Sequence, residues 1–330
     1  MFGKMMNRYY YGKSGKGDYT KDDLPETRWQ LFWEMLRVRF PALFKLNLLY
    51  LIAWIPAIIV IGRGLLMGYN FLAALSEMQM QVDAGTATME AMSEMNVQVL
   101  EALKAVAMQT LLLLIPAIAI TGPFTAGLCY VTRNWARDEH SFIVSDFFQT
   151  AKENWKQALL TSTITGLVPI TLYVCYTFYG DMASGNVIFM VPQVLSIVVG
   201  VVWMCSLLYI YPQMVTYEMK YGTLIRNSMI MAISCLPMTV ALKLLSLVPA
   251  VIFAVVAFFT PYFVYAALAL ALYYILLGFA LSRFIGASYT NGVFDRMLNA
   301  RIEGAQVGRG LYQDDEEEEV QTEDSESTEA

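Results

Sequence analysis

Six runs of about 20 apolar residues, set apart by short polar or basic stretches, constrain this chain more than anything else in it. A helix of that length crosses the ~30 Å hydrocarbon core of a bilayer. In lipid, only structures that satisfy their backbone amides internally survive, so runs of this kind read as helices. They fall at about 46–61, 105–131, 158–178, 187–211, 236–258 and 262–284. The hydrophobic fraction of 57% exceeds the roughly 45–50% of soluble domains, and the excess sits inside these runs. The expected fold is an all-α membrane protein: a six-transmembrane-helix bundle of three helical hairpins, with cytoplasmic amphipathic helices and an extracytoplasmic helical hairpin.

The distribution of Lys and Arg sets the expected orientation. Of 22 such residues, nine precede the first span, four lie in the 132–157 connector, three around the 213–227 connector (counting Lys243) and four from Arg283 onward. Only Arg63 and Lys104 fall on the other side. By the positive-inside rule the connectors and both termini are cytoplasmic, and the expected location is the plasma membrane, multi-pass. The net charge of −6 conceals this, because ten acids lie in the last 17 residues; without them 22 basic residues face 18 acidic ones.

Between and beyond the spans the pattern changes. Residues 1–26 read as a flexible basic tail without the apolar core of a cleaved signal peptide. From Glu26 to Pro41, Trp29, Leu31, Phe32, Met35 and Leu36 alternate with Arg28, Glu34, Arg37 and Arg39, which predicts a surface-lying amphipathic helix. In 62–104 apolar residues recur at three and four, with a turn at Asp83-Ala84-Gly85-Thr86, predicting the outer hairpin. The membrane domain is thus 27–304, and the acidic segment 305–330 lacks the apolar residues to bury.

The richest stretch is Ile120–Gln157. Arg133, Arg137, Lys152 and Lys156 lie beside Phe147, Phe148 and Trp155, a basic and aromatic set suited to docking anionic lipid or an acidic partner surface. A helix starting with Ser145 as N-cap would put Phe147, Phe148, Ala151, Trp155 and Leu159 on one face and Thr150 on the other. Such a helix either rests in the interface or acts like the coupling helix of an importer permease. Gly122 and Pro123 form a candidate helix break. The competing reading, favoured because no charge accompanies them, is a kinked small-residue packing surface. Lys243 lies inside the fifth run, where its stem can snorkel toward the headgroups. The four cysteines form no CxxC pair and His140 is the only histidine, so no catalytic set, metal site or cofactor site is expected. No nucleic-acid partner is expected either.

Ile120-Thr-Gly-Pro-Phe-Thr-Ala-Gly-Leu128, then Tyr130 and Arg133, then Asp146-Phe-Phe and Lys152-Glu-Asn-Trp-Lys-Gln157, resembles the YesL-like family of bacterial membrane proteins. Asn47-Leu-Leu-Tyr-Leu51 in the first span adds to the likeness, which runs through roughly 28–300 but not through the outer hairpin or acidic tail. The resemblance implies an accessory membrane subunit or regulator of a bacterial carbohydrate (oligosaccharide) ABC uptake system, with permease or ATPase subunits as partners. The alternatives are a stand-alone small-solute transporter or channel, and a non-catalytic membrane scaffold.

Overall fold

The computed structural model describes residues 25–312. The expected basic tail and most of the acidic tail lie outside the described residues. Helices α1 (Arg28–Asp83), α2 (Met89–Trp135), α3 (Ile143–Glu153), α4 (Trp155–Ala183), α5 (Met190–Thr216), α6 (Tyr221–Ser234), α7 (Leu236–Phe259), α8 (Phe263–Tyr273) and α9 (Phe279–Met297) follow in order. A π-helical turn, Tyr274–Gly278, joins α8 to α9 into one continuous rod. There is no strand among the described residues, and six helices are long and apolar enough to cross a membrane. This is an all-α six-span membrane bundle.

The first hairpin is larger than its parts suggested. α1 contains 56 residues, roughly 80 Å at 1.5 Å per residue, so the N-terminal amphipathic stretch, the first span and the outer helix are one rod. The surface-lying helix expected over 26–41 is therefore corrected. Pro41 forfeits one intrahelical bond, but Leu31 and Met35 before it and Leu43 and Leu46 after it are buried in the same cluster, which holds the rod through the proline. A capping box starts it: Gln30 N–H donates to Thr27 Oγ1 and Thr27 N–H to Gln30 Oε1. At the far end Gly85, with φ of 71°, turns the chain, and Thr88 caps α2. The antiparallel hairpin expected over 62–104 is present, with Arg63 donating to Gln109 Oε1 at 3.1 Å.

α2 is the hub, packing against α1, α3, α4, α5 and α9. Burial is concentrated toward the connector end of the bundle. α2 buries Val99 and then thirteen residues between Ala117 and Trp135, α5 buries from Gly200 onward, and α9 from Ala280 onward. Toward the opposite end the helices leave Leu, Ile and Val exposed for lipid to cover. α7 buries only Thr239, whose hydroxyl bonds Tyr209 of α5 at 2.7 Å. Within the second connector, expected over 213–227, α5 runs on to Thr216 and α6 begins at Tyr221. A separate short helix thus precedes the third span (α3) and the fifth (α6), whereas the stretch before the first span is continuous with it.

Candidate functional site

The connector candidates separate into two groups. Phe147 is 0% exposed, and its carbonyl approaches Gly127 so closely that a Cβ there would lie 2.3 Å from it. Arg133 and Arg137 are half-buried; Arg137 pairs with Glu139 at 3.3 Å, and Arg309 reaches the same carboxylate at 3.1 Å. These three belong to the body of the protein. Phe148 at 47% and Trp155 at 49% exposure face outward, with Lys152 and Lys156 exposed beside them. Lys156 Nζ lies 5.7 Å from the Trp155 ring centroid. Of the connector candidates, the exposed ones are therefore Phe148, Lys152, Trp155 and Lys156.

Ser145 is not the cap of α3. The helix begins at Ile143, and Asp146 accepts from Ser141 Oγ and Phe142 N–H, both at 2.8 Å, tying the preceding turn. The chain also breaks at Asn154, between α3 and α4, which resets the helical phase. Thr150, three residues after Phe147 within α3, shares the buried face with Phe147 and Ala151, while Trp155, beyond the break, faces outward. The sequence expectation sets Thr150 opposite Phe147 and groups Trp155 with it; the structure corrects both placements.

Gly122 and Pro123 do not break α2, which runs through both. A Cβ on Gly122 would lie 2.3 Å from the Ala158 carbonyl and 2.2 Å from Ser162 Oγ. Ser162 donates to Ala119 O at 2.7 Å across the same contact. The pair serves close approach of α2 and α4.

The connector-side collar is closed by a clasp. The buried Asp295 carboxylate accepts from Arg28, from Asn299 Nδ2 and, at 3.0 Å, from Gly308 N–H. Tyr217 donates to Asn299 Oδ1 at 2.6 Å; burial raises its pKa, against the opposing pull of Arg133, so it stays a donor. Tyr312 N–H donates to Pro25 O at 2.9 Å. The two ends of the described chain therefore meet on the connector side, as an even number of crossings requires.

Sequence reasoning missed a second feature, within the spans. A pocket of about 270 Å³ lies between α1, α5, α7 and the α8–α9 rod. Tyr50, Tyr273, Tyr274, Lys243 and Arg283 line it, and no carboxylate does. Its wall includes the π turn, whose displaced backbone needs outside partners. Asn47, fully buried, supplies them: Nδ2 donates to the carbonyls of Tyr274 at 2.9 Å and Ile275 at 2.7 Å, and Oδ1 accepts from Ala280 N–H at 2.9 Å. The available signal was a lone asparagine at the mouth of an apolar run, where a buried amide demands a partner.

Fold and collar together define a six-span helical membrane protein with a basic, aromatic connector face. A family model described as "Protein of unknown function, DUF624" matches residues 99–176, from the hairpin part of α2 through the connector into α4. No curated protein and no solved structure matches the chain.

Proposed function

We propose that this chain is a non-catalytic accessory subunit or regulator of a bacterial carbohydrate uptake system. It sits in the plasma membrane with both termini cytoplasmic, and it docks permease or ATPase subunits through Phe148, Lys152, Trp155 and Lys156. The observation that carries the reading is this exposed quartet on a corner made stiff by the burial of Phe147, Thr150 and Ala151. A partner can use two exposed aromatic rings as anchors, with lysines steering an acidic surface toward them. The YesL-like resemblance of 120–157 supplies the association with sugar uptake. Affinity purification in mild detergent, from cells growing on polysaccharide, tests it. Transporter subunits recovered with the wild type and lost with Trp155→Ala/Lys156→Glu are expected; recovery without any transporter subunit refutes it. Cysteine probes at Gly85 and Lys152 test the orientation, the first labelled from outside intact cells and the second protected.

The span-level pocket favours one other reading, a stand-alone transporter or channel for a small solute. Uptake by proteoliposomes holding this chain alone would establish that reading in place of the first.

A further inference from the structure

Lys243 and Arg283 open into the same pocket from α7 and α9, and neither forms an ion pair with a carboxylate among the described residues. Arg283 lies over the Tyr211 ring, 5.6 Å from its centroid. Two half-buried cations inside a membrane bundle are costly unless something anionic accompanies them. The pocket offers hydroxyl donors beside them, Ser282 and Tyr273 among its lining, and no acceptor carboxylate. We infer that the pocket is a binding site for a phosphate-class oxyanion, presented by a phospholipid headgroup from the connector-side leaflet. This inference does not depend on the proposed docking to a transporter.

Two observations favour a lipid as the source of the phosphate. One is depth: Tyr50, Leu208 and Arg283 line the pocket in the connector-side halves of their spans, and Lys243, about seven residues (~10 Å) into α7, is within a lysine stem's reach of the headgroups. The other is the direction of the opening. α7 is lightly attached, and Leu245 and Leu247, which form part of the pocket wall, are about half exposed. An acyl chain can therefore lie along α7 while its phosphate reaches the two cations. Sequence reasoning treated Lys243 as a solitary snorkelling residue and Arg283 as flanking charge, because 40 positions separate them along the chain.

The test is native mass spectrometry of the purified full chain in mild detergent, titrated with phosphatidylglycerol, phosphatidylcholine or inorganic phosphate. Wild type should retain phosphatidylglycerol well above phosphatidylcholine. Lys243→Gln and Arg283→Gln should each weaken that binding about tenfold or more, the loss of one charge-assisted contact, while Lys243→Arg restores it and Lys104→Gln changes nothing. Lys243→Gln, on the lightly packed α7, carries the test if Arg283→Gln does not fold. Binding of inorganic phosphate without phosphatidylglycerol overturns the lipid source. Equal binding of every probe by wild type and Lys243→Gln overturns the site.

Discussion

Replacing Asp295 by Asn changes one atom and removes the charge from the clasp. The carboxylate accepts from Arg28, Asn299 and the Gly308 amide. An asparagine keeps one acceptor oxygen but turns an NH2 toward at least one donor. Hydrogen bonds to a charged group contribute about 1.5–3 kcal/mol each. The Arg28 side chain is 29% exposed and Asp295 only 10%, so water compensates the arginine in part and the backbone amide hardly at all. The expected loss is about 2–3 kcal/mol, confined to the collar. Local opening at that cost accelerates amide exchange roughly 30- to 150-fold. Hydrogen exchange read by mass spectrometry should show this rise at 305–312 and at the start of α1, with the 62–104 hairpin unchanged. Exchange at 305–312 within about threefold of wild type would refute the argument. So would an equal acceleration in the hairpin, since the charge would then act on the whole bundle.

Three further perturbations separate the structural roles. Gly122→Val drives a branched side chain against the Ala158 carbonyl; a loss of about 1–3 kcal/mol or more should appear as a lower melting temperature in detergent, with Ala42→Val, at a half-buried position, affected less. Phe147→Ala should cost about 3–5 kcal/mol by cavity formation, whereas Phe148→Ala, nearly half exposed, should stay within about 1 kcal/mol; similar losses would mean the two rings were wrongly divided. Asn47→Leu leaves two carbonyls of the π turn and the Ala280 amide of α9 without their partner. It should cost about 2–4 kcal/mol, and faster exchange at 274–280 is the readout.

Much of the fold is legible along the chain because its signals are local. Run length fixes the six spans, Gly85 marks the outer turn, and the uneven placement of Lys and Arg orients the connectors on one side. The misreadings share a cause. Whether Pro41 ends a helix depends on the buried residues either side of it, and which arc of α3 faces inward depends on its packing against α2, with Trp155 lying beyond the interruption at Asn154. Periodicity assumes an unbroken helix and an average surrounding, and neither holds at those points.

By itself the sequence determined that this chain crosses a membrane as helical hairpins with a basic, aromatic connector, since transfer of apolar side chains into lipid depends on composition over one turn of chain after another. Only the tertiary structure decided which connector residues face outward, that Asp295 fastens both ends of the described chain, and that Lys243 and Arg283 share a pocket. Those outcomes depend on contacts between segments tens to hundreds of residues apart, where a side chain's partner is set by how whole helices lie against each other.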